Sequence, residues 1–172
     1  TPIKITNENF FTKKEYDLKN KMDSKAVKKN NYNKVIFLEK KDKQLITFSG
    51  NVIVKKDLVI DNPVKIEKGT IFSILPNKHI IFKNFVNARG DKENPIIFKK
   101  LNPKNLKENE IEPWGSVVLM GKETKDSIFD YVKFTGGSGG WFKQFYFVSM
   151  FSIHSTNNIK ILNSNFSSNE IY

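Results

Sequence analysis

The chain has 172 residues, 38% of them hydrophobic and 13% aromatic, which suits one folded domain with a sizeable core. It has no cysteine and two histidines, which excludes disulfides, thiolate zinc and thiol nucleophiles and disfavours a histidine metal site, so no metal and no cofactor is expected. The formal charge of +11 does not imply specific nucleic-acid recognition, because 28 of the 29 basic residues are lysines, and the planar fork that reads base edges belongs to arginine.

Residues 1–50 carry 12 lysines against 6 acidic residues, so the basic excess is concentrated at the N-terminal end. No run of about 18 apolar residues occurs, so no membrane span is expected. The start, TPIKITNENF, has neither the charged leader nor the apolar centre of a signal peptide. Thr rather than Met opens the chain, which leaves the compartment undecided.

Thr12-Lys13-Lys14-Glu15 fits a capping box, in which a threonine oxygen and a glutamate satisfy each other's free amides at a helix start. Tyr16, Leu18, Met22, Ala26 and Val27 then form a loose helical stripe. The pattern predicts a short helix over about 13–28, within an N-terminal cap or linker of residues 1–33.

From Lys34 onward the period changes. Short runs rich in Val, Ile and Phe follow one another: VIFL (35–38), LITF (45–48), NVIV (51–54), DLVI (57–60), PVKI (63–66), TIFSI (70–74), HIIF (79–82), PIIF (95–98), SVVLM (116–120), IFDYVKF (128–134), FYFVSMFSI (145–153) and NIKIL (158–162). They are expected to be strands of an all-β region over residues 34–172. Tight antiparallel hairpins favour Asn-Gly or Asp-Gly, and neither dipeptide occurs. Corners such as Lys55-Lys56 and Asp61-Asn62 instead suggest strands that bend around one axis and stack coil upon coil. Two loose internal echoes agree with this. Asn62-Pro63-Val64-Lys65-Ile66 is echoed by Asn94-Pro95-Ile96-Ile97-Phe98, and Ser127–Phe134 by Asn158–Phe166.

The succession NVIVKKDLVI (51–60), VKIEKGTIFSI (64–74), ARGDKENPIIF (88–98), WGSVVL (114–119) and SIFDYVKFTGG (127–137) resembles right-handed parallel β-helix proteins of bacterial surfaces. Similar segments are found attached to spore-coat-type (CotH-like) kinase domains, although no kinase motif is present here. The resemblance covers about residues 45–172. It implies a right-handed parallel β-helix fragment from a secreted or surface-associated bacterial protein; polysaccharide is the expected partner on the separate ground of the chain's aromatic residues. On this reading NNIKILNSNFSSN is one coil, with Ile159 and Ile161 facing inward and Asn163 or Asn165 in an internal asparagine ladder. The coils are expected to be truncated at the C-terminus, with further coils or a partner chain stacking on the last one.

Arg89-Gly90-Asp91 reads as a turn at a coil corner rather than an adhesion motif. Gly136-Gly137-Ser138-Gly139-Gly140 lacks the Gly-Lys-Ser/Thr ending of a phosphate-binding loop and reads as a flexible excursion. The aromatics Trp141, Phe142, Phe145, Tyr146 and Phe147 cannot all face inward on one strand. Aromatic faces suit sugar rings, so Trp114, Trp141 and Tyr146 are the candidate ligand-binding residues. Asp126, Asp130, Glu108, Glu110 and Glu112 are the only acid/base material, and no paired arrangement marks a catalytic residue. His79 and His154 flank strands as ordinary packing or surface residues. The chain is thus read as a non-catalytic structural or binding segment. The alternative is the N-terminal part of a polysaccharide lyase, epimerase or hydrolase whose active site lies beyond residue 172. A β-sandwich module would instead require antiparallel pairing.

Overall fold

The structure, a computed structural model, describes residues 43–102, 107 and 111–169. The helix expected over 13–28, the 1–33 cap and the strand expected at 35–38 lie outside the described residues.

The chain visits three sheets in fixed order. The first turn comprises β1 (Ile46–Phe48), β2 (Asn51–Val54) and β3 (Leu58–Ile60), and the second β4 (Val64–Ile66), β5 (Ile71–Ile74) and β6 (Ile80–Phe82). The third is β7 (Val86–Arg89), β8 (Ile96–Lys100) and β9 (Val117–Met120). In the fourth, β10 (Ile128–Asp130) and β11 (Val132–Thr135) are followed by β12 (Gly140–Phe142), β13 (Phe145–Phe147) and β14 (Phe151–His154). Then come β15 (Lys160–Leu162) and β16 (Asn165–Ser167). The sheets are ordered β1-β4-β7-β10-β15, β2-β5-β8-β11-β16 and β3-β6-β9-β14. Every pairing in these three sheets is parallel. This all-β arrangement of strands stacked coil on coil is compatible with a parallel β-helix.

The register explains the core. Because successive coils pair residue on residue, like side chains stack in columns inside the coil. Phe72, Phe98, Phe134 and Phe166 pair in one sheet. Phe72–Phe98, Phe98–Phe134 and Phe134–Phe166 lie nearly flat on one another, with centroids 4.6, 4.9 and 4.8 Å apart. That is the inter-strand spacing itself, so the backbone ladder and the ring stack share one repeat. Phe48, Ile66, Ala88, Phe129 and Ile161 form the matching column of the neighbouring sheet. Alternate residues such as Lys65, Lys99 and Lys133 face solvent, as the two-residue period of a strand requires.

Several expectations are corrected. The Asn-Pro echo is not a stacked pair, because Val64 lies beside Val86 in one sheet whereas Ile96 belongs to another. The segment 128–134 is two strands, broken by Tyr131 at φ 51. Its echo is real, Phe134 pairing with Phe166, although Ile128 pairs with Lys160 rather than Ile159. Ile161 does stack inward on Phe129, and Ile159 packs against the core. Asn163 joins no internal ladder. It sits exposed at the corner, φ 47, and its amide donates to Asp130 Oδ1 at 3.0 Å. Asn165 pairs beside Lys133 on an outward-facing position, which has no interior neighbours to bond.

Arg89-Gly90-Asp91 forms a corner. A side chain at Gly90 would meet the Tyr131 carbonyl oxygen at 2.7 Å, so only glycine lets the coils approach there. Asp91 Oδ1 accepts from the Asn94 backbone N–H at 2.7 Å, and Oδ2 from Lys68 Nζ at 3.0 Å.

Candidate functional site

The fourth coil departs from the plain pattern between β11 and β14. The run FYFVSMFSI is not one strand. Gly140–Phe147 makes an antiparallel hairpin in which Gly140 faces Phe147, Trp141 faces Tyr146 and Phe142 faces Phe145. Lys143 and Gln144 make the connection, with Lys143 at φ 53 supplying the left-handed residue that Asn-Gly would ordinarily provide.

The hairpin covers part of the outer face of the β3-β6-β9-β14 sheet. Ile81 and Val118 point out of that sheet yet are fully buried, because Phe147 and Phe142 pack on them together with Val59 and Met120. The preceding glycines are not a flexible excursion. Gly136, Gly137 and Gly139 are buried. A Cβ on Gly137 would lie 2.5 Å from Met150 Cβ and 2.8 Å from Trp114, and one on Gly139 would collide with the Phe147 carbonyl oxygen. Glycine is needed here for close backbone approach rather than for mobility.

His79 lies at the centre of this contact and is 1% exposed. Its Nδ1 accepts the Ser116 backbone N–H at 3.0 Å, which identifies the neutral ring as the bonded form. Its backbone N–H donates to Asp57 Oδ1 at 2.9 Å. Phe142 and Phe147 meet the ring edge-on, with centroids 6.1 and 5.7 Å away. Burial lowers the affinity of the imidazole for a proton, outweighing Asp57 and a backbone hydrogen bond to Trp141, which favour the cation.

The opposite face of the hairpin is open. Trp141 is 69% exposed and Tyr146 51%, with ring centroids 5.1 Å apart and planes inclined by 56°. Phe145, which shares the sheet-facing side with its cross-strand partner Phe142, and Val148, just past β13, are exposed as well. Two of the three sequence candidates therefore come together. Trp114 does not join them: it is fully buried, and its indole Nε1 donates to the Thr135 carbonyl at 2.8 Å. A ligand has no access to that ring.

The remaining candidates are dispersed. Asp126 accepts from Asn158 and Asp130 from Asn163, both at exposed corners. Glu112 accepts a long bond from Asn77 at 3.5 Å, and Glu108 and Glu110 lie outside the described residues. His154 is exposed and touches Phe147, centroids 5.5 Å apart. Among the described residues no group of three or more His, Asp or Glu is placed to hold a metal ion, and no helix is long and apolar enough to cross a membrane. Comparison with family models, with curated proteins and with solved structures finds no match for this chain.

Proposed function

We propose that this segment is a non-catalytic scaffold, a right-handed parallel β-helix of a secreted or surface-associated bacterial protein, that presents Trp141 and Tyr146 to the ring faces of a polysaccharide. The observation that carries this reading is the two-faced hairpin. Phe142 and Phe147 anchor one side of it, while the two largest amphipathic rings stand in water on the other. Leaving such rings exposed forgoes their burial, and a contiguous aromatic patch on a folded surface commonly marks a binding site. Their inclined pair offers two planes to a chain of sugar units, and a rigid coil beneath holds the spacing. The right-handed sense follows the strong chiral preference of parallel crossovers.

The same proposal includes a neighbour for the last described coil, either a further coil or a partner chain. Ile161 and Phe166 occupy interior columns yet remain exposed, Phe166 by 44%. Among the described residues their strands, β15 and β16, each pair on one side.

Affinity electrophoresis through gels containing neutral and acidic polysaccharides tests the binding reading. Retardation of the wild-type chain, lost in Trp141→Ala/Tyr146→Ala with an unchanged circular dichroism spectrum, is the expected result. Each ring is expected to contribute about tenfold in affinity, roughly 1.4 kcal/mol. Equal mobility of wild type and double variant in every gel would overturn it.

A further inference from the structure

We propose that His79 is a proton-sensitive latch: protonating its imidazole releases the β12–β13 hairpin from the outer face of the β3-β6-β9-β14 sheet and moves Trp141 and Tyr146 with it. The argument begins with the hydrogen bond. Nδ1 accepts from the Ser116 N–H, a backbone group at a buried position. A protonated ring carries N–H at both nitrogens, so it would turn a donor toward that donor and leave the Ser116 amide without its acceptor.

The second observation is the surroundings. The side chains that close over the ring belong to the hairpin itself. Phe142 and Phe147 meet it edge-on, and a Cβ on Gly140 would stand 3.7 Å from Cε1. Beneath it, Gly115 leaves no room for any side chain, since a Cβ there would collide with the imidazole. The ring cannot retreat into the coil, so water reaches it only if the hairpin lifts.

The charged and titratable neighbours come from every side. Asp57 from the coil below favours the cation, and Lys78 beside it disfavours it. On the hairpin, Lys143 lies over the Phe142 ring at 5.5 Å, and Tyr146 faces outward with Trp141. From β14, His154 rests against Phe147. Burial is the largest influence on His79, and it opposes the charge.

The sign follows. In the lifted state the ring regains its ordinary proton affinity, near 6.5, whereas docking lowers it. Above about pH 6.5 the ring is neutral either way and docking has its full strength. As pH falls below that value the lifted state takes up the proton first. The docked-to-lifted ratio then drops by as much as tenfold per pH unit, until the docked ring also protonates.

Hydrogen exchange of the 172-residue chain between pH 7.5 and 5, corrected for the intrinsic exchange rate, tests this without any ligand, and so independently of the polysaccharide reading. The opening equilibrium of amides in 140–147 is expected to rise below about pH 6.5 while amides of β5 and β8 stay protected. His79→Gln should remove the pH dependence, and His154→Gln should retain it. A hairpin whose protection is unchanged by pH, or a rise of the same size in His79→Gln, overturns the proposal. If His79→Gln does not fold, the ring resonances of His79 in the wild type decide. Titration below 6.5 in step with hairpin amide shifts supports the latch, and titration at or above 6.5, or without those shifts, overturns it.

Discussion

The ring of Phe98 lies against that of Phe134 with centroids 4.9 Å apart and planes 8° from parallel, one coil above the other. Both are fully buried, and each also stacks on a further phenylalanine, Phe72 on one side and Phe166 on the other. Phe134→Ala opens the column on both sides. We expect a loss of about 3–5 kcal/mol in urea denaturation, against a smaller loss for Phe166→Ala, whose ring is already partly exposed. Equal losses at the two positions would show that the column does not act through burial.

Gly115→Ala sets a methyl into the His79 ring, and Gly139→Ala sets one into the Phe147 carbonyl at a backbone angle of φ 106. Neither neighbour can yield without lifting the hairpin. Both variants are expected to increase hydrogen exchange within 140–147 and to raise Trp141 solvent exposure, read by fluorescence quenching. Gly121→Ala meets nothing within 4 Å but has φ 97, so it should show backbone strain without hairpin release.

Lys143 adopts φ 53 at an exposed two-residue connection. A side chain in that region costs roughly 1–2 kcal/mol, which glycine avoids. Lys143→Gly is therefore expected to slow exchange of the hairpin amides, with a net gain of about 1 kcal/mol in hairpin docking. The ring of Phe142 would lose its cation, a small opposing effect.

At the Gly90 corner, the hydrogen bond from Lys68 and those from Asn94 hold the Asp91 carboxyl below its ordinary range, and Asp91 in turn raises the Lys68 ammonium. A lowered carboxyl stabilises the fold above its unfolded value near 3.9, and that contribution fades as pH falls from there through the folded value. Asp91→Asn is expected to flatten the acid side of the melting-temperature profile below about pH 4. The pair is exposed, so added salt should shrink the difference in the wild type.

Much of the stack was legible because short β-branched and aromatic runs leave few alternatives to strands. β2, β5 and β9 stand close to where NVIV, TIFSI and SVVLM place them. β7 carries little hydrophobic signal in VNAR, because its inward residues, Val86 and Ala88, are small and its neighbours polar. The hairpin was hidden by chemistry rather than by pattern. Lys143 fills a position where glycine or asparagine would have announced a turn, and the glycines that were visible serve close packing. At the candidate site, aromatic crowding showed that some rings had to be exposed. Choosing which required knowing that Trp141 and Tyr146 are cross-strand partners and that Trp114 belongs to the core.

The coils differ widely in contour length. From Ile46 to its partner Val64 is 18 residues and from Val64 to Val86 is 22, whereas Val86 to Ser127, whose hydroxyl accepts the Val86 N–H, is 41. The strands nonetheless stay in parallel register, and the two longest connections fall between β8 and β9 and between β11 and β14. The extra length at these two places therefore sits beside the strand columns without breaking their register. A lineage of such chains could exchange one surface ornament for another there while inheriting the same spine.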